Sequence, residues 1–371
     1  MSPGDPLYVW QQSDWPAWRH DAARLLPLLT RVHQGVGQLL GRLHEQQGEP
    51  LVHAQMHVLT QDVMKTSEIE GELLRLDSVR SSLGRRLGVD VGALPPADQR
   101  VEGLVDVVMD ATGNAQAPLT ADRLRAWQAA LFPTGLSGLA TIRVGTWRDD
   151  SNGPMQVVSG PVQRRRVHYE APPAARLDAD IARFLDWFND AQDLDPILKA
   201  GLAHLWFEVL HPFDDGNGRV GRAVSDMALA RADGCRQRCY SLSEQIQRQR
   251  NAYYTLLEKT SKGDLDATEW LAWFLERLHE ALAEANRVLD RVLMKASFWR
   301  RAAGIPINPR QAKMLNRLLD GFDGKLTNRK WAAIAKCSSD TALRDINDLL
   351  QKGLLLRSEA VGRSISYELR G

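Results

Sequence analysis

Residues 211–222 read HPFDDGNGRVGR, and this short stretch restricts the fold more tightly than any other part of the chain. Upstream, LKAGLAHLWFEVL is an apolar helical run ending near Leu210. Pro212 stops that helix, because proline lacks the amide a continuing helix needs. The turn DDGNG contains two glycines, which accept backbone angles that other residues resist. A second helix is expected from about Val220 to Ala232. Two helices must therefore fold back on each other, with His211 at the mouth of the turn. Successive amides in such a turn form an anion nest, and the N-terminus of the second helix adds a positive end. Arg219 and Arg222, three residues apart, share a helical side. Asp214 or Asp215 offers a hard oxygen ligand of the kind magnesium uses together with phosphate oxygens. His211 can take a proton from an incoming hydroxyl. Together these groups fit transfer of a phosphate-containing group to a hydroxyl. A lone His-Pro or GNG would read as a plain helix connection; six such positions in one window do not.

Most of the chain carries helical periodicity. A tryptophan-rich opening (Trp10, Trp15, Trp18) precedes apolar positions from Leu25 to Leu43, and core packing is the expected role of these indoles. Further helices are expected at about Val52–Ile69, Asp77–Leu87, Gln99–Ala111, Thr120–Leu131, Ala174–Ala191, Asp195–Leu210, Ser243–Thr260 and Ala267–Phe298. Between Ile142 and Tyr169 short β-branched runs flank a Ser-Gly-Pro turn, which reads as an inserted β-hairpin, its Arg164–Arg166 run a solvated face. After GIPINPR at 304–310, three short helical patterns (309–320, 327–335, 339–352) precede two short strands around Gly362. Three helices and a two-stranded wing make a winged helix-turn-helix pattern. The fold class is mainly α, with regions 1–98, 99–300 and 304–371.

A chain of 371 residues is long enough for two or three domains, and a net charge of +1 excludes a polyanion binder as a whole. Neither a membrane-length apolar run nor a signal-peptide core is present, which predicts a cytoplasmic protein with no membrane partner. Cys235, Cys239 and Cys337 form no disulfide framework, and Cys235 and Cys239 lack a second ligand pair for a metal.

HPFDDGNGRVGR resembles the motif of the Fic family at every fixed position. The preceding helix, the hairpin VVSGPVQRRRVHYEAPP as a flap, the N-terminal helical region and the terminal winged helix are also similar to a bacterial subgroup. The resemblance implies transfer of AMP from ATP to a Ser, Thr or Tyr hydroxyl of a target protein, with pyrophosphate released. By position it makes His211 the general base, Phe213 a loop anchor and Asp215 the magnesium ligand. Gly216, Asn217 and Gly218 would hold the α- and β-phosphates, Arg219 a phosphate and Arg222 the γ-phosphate. Tyr253 and Tyr254 resemble a pair lining the adenine side, although Ser261 stands where some relatives have asparagine. Val157 and Val158 of the flap would meet an extended target segment, or else pack inward.

Thr66, Glu70 and Gly71, in KTSEIEGE, match the inhibitory motif of the same family. A carboxylate on Arg222 would occupy the cation meant for the γ-phosphate and misplace the phosphates. The expected reading is an autoinhibited protein adenylyltransferase, and Fic relatives suggest a homodimer. Removal of AMP or transfer of another nucleotidyl or phosphoryl group is the alternative enzyme reading. The alternative from another class is a DNA-binding regulator with a nucleotide-sensing core. Residues 300–371 hold 14 Lys/Arg against 7 Asp/Glu, about +7, leaving the rest near −6. Thr341, Arg344, Asn347 and Lys352 on the third helix, with Arg357 and Arg363 at the wing, could face DNA; Asp340, Asp345 and Asp348 oppose it. Winged helices also serve as protein-interaction modules.

Overall fold

The computed structural model describes residues 7–45, 49–160, 164–190, 193–234, 238–322, 324–358 and 365–370. Cys235, Gly362 and Arg363 lie outside them. The chain divides into two compact units, residues 1–285 and 286–371.

The first unit opens with α1 (Ala22–His44), α2 (Glu49–Ile69), α3 (Leu76–Leu87), α4 (Gln99–Gly113) and α5 (Ala121–Leu131). A short pair, β1 (Leu136–Ser137) and β2 (Ala140–Thr141), precedes the hairpin of β3 (Gln156–Ser159) and β4 (Arg166–Glu170). The helices α6 (Leu177–Asn189), α7 (Pro196–Leu210), α8 (Asn217–Asp233), α9 (Leu242–Arg248) and α10 (Arg250–Ser261) follow. The long α11 (Thr268–Arg301) contains the point of division. Two expectations change here. The helix predicted at 243–260 breaks at Gln249, and the hairpin is shorter than its β-branched stretch.

Helix α7 is apolar on nearly all sides, which suits a central helix. Gly201 lets α11 approach: a β-carbon there would lie 2.9 Å from Leu271, and the Trp270 indole donates to the Gly201 carbonyl at 2.8 Å. Ser225 of α8 donates to Ala200 of α7. The N-terminal tryptophans do pack: Trp15 is buried edge-to-face against Trp18 and Trp206. Trp10 has an added task, its indole donating to the Glu170 carbonyl of β4 at 2.9 Å.

In the second unit α12 (Pro309–Leu319), α13 (Asn328–Ala335) and α14 (Ser339–Gln351) precede the antiparallel pair β5 (Leu355–Arg357) and β6 (Tyr367–Leu369). Asn308, Thr327 and Ser338 cap the three helices through their side chains. Phe298, Met314, Leu315, Trp331, Ile346 and Leu349 form its core. Asp345 is buried and accepts from Arg310 and Asn308, so it does not oppose an exposed charged face. Arg344, Asn347 and Arg357 are exposed and Thr341 is half-buried. Lys352 is instead drawn inward, donating to the Pro306 carbonyl at 2.6 Å and to Asp348.

Candidate active site

Pro212 ends α7 as its sequence requires, and His211 takes the left-handed conformation, φ 45°, an unusual one for a residue with a side chain. Its amide still bonds the Phe207 carbonyl of α7. Nδ1 lies 3.3 Å from the Glu208 carbonyl. A carbonyl only accepts, so the proton sits on Nδ1 and Nε2 is left as the basic nitrogen. Burial pushes His211 down to about 4, and the nearby Arg148 adds to that effect. The imidazole is therefore neutral at pH 7.

The loop is braced from several directions. Phe213 is fully buried against Trp147 and Phe207. The Asn217 side chain clasps Phe213 on both sides, its Oδ1 accepting from the amide at 2.9 Å and its Nδ2 donating to the carbonyl at 2.8 Å. Asn217 is thus a loop brace, and its carboxamide faces protein. Helix α8 starts at Asn217, three residues earlier than the sequence suggested, with Gly216 (φ 88°) as its cap. Gly218 therefore lies in the first turn of α8, where the free amides are. A β-carbon on Gly216 would meet the Phe132 ring at 2.9 Å. Asp215 accepts from its neighbour Gly216 at 2.6 Å and from the Ser137 hydroxyl. Asp214 points elsewhere, accepting from the Arg143 amide at 2.9 Å.

Among the described residues no three His, Cys, Asp or Glu side chains cluster to hold a metal. The donor set fits magnesium, which needs only one or two carboxylates when phosphate oxygens and water complete its shell. Asp215, at the N-terminus of α8, is the carboxylate suited to it.

Both motif arginines are engaged by carboxylates from the turn that ends α2. Arg222, only 3% exposed, donates Nη2 to Glu70 at 2.7 Å, Nε to the Thr66 hydroxyl at 2.7 Å and Nη2 again to the Thr66 carbonyl at 3.0 Å. Burial opposes its charge, but Glu70 together with Tyr253 and Tyr254 more than offsets burial and holds the guanidinium above its usual range. Arg219 donates to Glu72 at 2.9 Å and lies over the Phe132 ring. Gly71 takes φ 83°, ending α2 so that Glu70 and Glu72 turn back toward α8. The approach is close: a β-carbon on Gly218 would lie 2.3 Å from Glu70 Oε1.

The tyrosine pair splits. Tyr253 is sealed against Trp270 and Trp273, with its hydroxyl 2.9 Å from His204 Nε2, so it offers no open face. Tyr254 is partly exposed and donates to the Ile69 carbonyl at 3.1 Å, beside the Glu70 turn. In the hairpin, Val157 pairs with Tyr169 and Val158 with Val167, with a bulge between Val157 and Val158. Val157 is half-buried and Val158 exposed. Glu258 of α10 ties β4 down through His168 at 2.6 Å and Arg166 at 3.2 Å.

Sequence reasoning missed Glu72, Ser137, Arg148 and Phe132. Arg148 is buried, donating to the carbonyls of His211 at 2.8 Å and Pro172 at 2.6 Å, and so braces the turn after α7. A buried arginine leaves no periodic signal; Glu72, one residue past the matched motif, was the one within reach.

Residues 118–229 match the model of the Fic/DOC family, and residues 8–89 match a domain of unknown function, DUF4172. Protein adenylyltransferase Fic of Drosophila yakuba is 29% identical over 229 residues, covering 61% of this chain and 42% of the relative. A probable protein adenylyltransferase of Aquifex aeolicus is 29% identical over 104 residues, 28% of this chain and 30% of the relative. The chain thus spans less than half the length of these curated relatives. The crystal structure of a Fic family protein from Desulfovibrio desulfuricans superposes with a TM-score of 0.53 at 21% identity, over 93% of this chain and 96% of that one. The architecture is mainly helical and of the Fic type. No helix among the described residues is long and apolar enough to cross a membrane.

Proposed function

We propose that this chain transfers AMP from ATP to a hydroxyl side chain of a protein, itself included, and that Glu70 holds it in a restrained state. The observation that carries the reading is the meeting of a neutral His211, Asp215 and two arginines around the N-terminus of α8. The first-turn amides and Gly216–Gly218 cradle the phosphates, and Arg219 and Arg222 neutralise them. Nε2 of His211 takes the hydroxyl proton as the oxygen bonds the α-phosphorus. The bond from that phosphorus to the bridging oxygen breaks, and pyrophosphate leaves. Asp215 would hold magnesium, which when bound would neutralise charge on the phosphates. The open edge of the hairpin near Val158 would carry the extended target segment by main-chain bonds.

The Glu70 carboxylate takes the Arg222 donor that the γ-phosphate needs. Glu72 on Arg219 makes a second, weaker obstruction. The second unit is assigned the wider role of a winged-helix module for DNA, with Arg344, Asn347 and Arg357 as its exposed polar face. A gel shift on DNA upstream of the chain's own gene, lost on replacing those three, tests that assignment.

The deciding experiment incubates wild type, Glu70→Gly and Glu70→Gly/His211→Ala with magnesium and ATP labelled at the α-phosphate. Label on Glu70→Gly alone supports both transfer and restraint. Equal labelling of wild type and Glu70→Gly removes the restraint. Label retained without His211 removes its role as base.

A further inference from the structure

Helix α7 carries an ionisable group that the transfer scheme leaves unused. Glu208 lies three residues before His211; its side chain is 11% exposed, and Oε1 is sealed without a hydrogen-bond partner among the described residues. On its own helix, His204 Nε2 is 3.9 Å away but already bonded to the Tyr253 hydroxyl of α10. From α8, Gly221 faces it: a β-carbon there would lie 2.8 Å from Glu208 Oε1. Gly218, one turn earlier, stands in the same relation to Glu70. The two carboxylates thus flank one glycine-lined stripe of α8, and Arg222, next to Gly221, is the cation both feel. Among the described residues its Nη1 has no hydrogen-bond partner.

A carboxyl group buried beside a guanidinium that a second carboxylate already contacts is pushed toward its neutral form. Glu70 has the direct contact. Burial pushes Glu208 up to about 8 against the pull of Arg222, and Glu70 adds to the rise. A phosphate in place of Glu70 would act in the same sense.

We propose that Glu208 is a positioning residue for Arg222: a neutral acid while Glu70 or a ligand phosphate neutralises the guanidinium, and its counter-ion in the interval between them. This rests on the AMP-transfer reading for the identity of the incoming phosphate. When Glu70 leaves, the Glu208 carboxyl releases its proton to solvent and pairs with Arg222. When the triphosphate arrives, the carboxylate takes a proton back. ATP binding to the released protein is then linked to proton uptake, and its affinity falls by up to about tenfold per pH unit while that linkage operates.

The test is calorimetry of magnesium–ATP binding to full-length Glu70→Gly and Glu70→Gly/Glu208→Gln, in buffers of differing ionisation enthalpy, between about pH 6 and 9. Uptake approaching one proton is expected in the first protein beyond that of the second. The Gln variant is expected to bind ATP more tightly at alkaline pH. If Glu208→Gln does not fold, Glu208→Met removes the same charge with an apolar side chain, and the same loss of uptake is expected. Equal proton uptake in both proteins, with ATP bound, overturns the role of Glu208 alone. Failure of every variant to bind ATP at any pH overturns the transfer reading and this one with it.

Discussion

Replacing Glu70 with glycine removes the carboxylate that holds Arg222 Nη2 at 2.7 Å. Arg222 is 3% exposed and Glu70 29% exposed, so the pair is sheltered on one side only. Breaking a fully buried pair costs about 3–5 kcal/mol, whereas exposed pairs are worth about 0–1 kcal/mol. A cost of about 2 kcal/mol is expected here, or roughly 4 °C in the melting temperature of a unit this size. The same change frees the cation for the γ-phosphate. Correcting a phosphate misplacement of about 1 Å is worth on the order of 100-fold in rate. The two effects have opposite signs, which makes the pair diagnostic. Glu70→Gly should melt earlier than wild type without nucleotide, and ATP at a hundredfold excess over its dissociation constant should restore about 2.7 kcal/mol. Self-labelling and thermal melts on the same preparations provide the assay. A variant that melts earlier, binds ATP and labels no faster than wild type would refute the reasoning, because the contact would then be structural only.

Adding Glu72→Ala to Glu70→Gly should raise labelling by no more than about fivefold, since Glu72 is 43% exposed and such pairs are weak; steady-state rates measure it. Gly216→Ala forces a left-handed residue to carry a side chain 2.9 Å from Phe132, so it should lose more than about 1 kcal/mol and most of the transfer activity, checked by urea unfolding and labelling. Burial lowers His211 from its ordinary 6.5 to about 4, so the stability that comes from keeping it neutral is present above about pH 6.5 and lost as pH falls through about 4. The acid limb of transfer should accordingly lie near pH 4; a pH–rate profile breaking near 6.5 would refute the buried base.

The backbone of the site was legible because its signals are local. Pro212 ends α7, Gly216 permits the turn, and Gly71 permits the reversal that brings Glu70 back. What was illegible came from partners far apart in sequence. Arg222 meets Thr66 across 156 residues, Arg219 meets Glu72 across 147, and Asp215 meets Ser137 across 78. A motif could propose the first of these, but nothing local announced the others. The early start of α8 was missed because Asn217 and Gly218 are poor helix formers in isolation. Here the clasp of Asn217 on Phe213 offsets that weakness. The split between Tyr253 and Tyr254 was illegible for a related reason: adjacent residues on a helix point about 100° apart, and only packing decides which is sealed.

Thr66 gives α2 a second meaning. Among the described residues, two of the three hydrogen bonds that the Arg222 side chain donates go to Thr66, and neither involves Glu70. The helix that leads to Glu70 is also the one that holds the Arg222 guanidinium. Cutting away α2 and swinging aside a single side chain are therefore different events. Truncation would leave Arg222 without an aim, whereas a rotation at Glu70 keeps the guanidinium pointed where a phosphate would arrive. On the proposed reading, displacing one carboxylate is enough, and the Thr66 contacts of Arg222 stay in place.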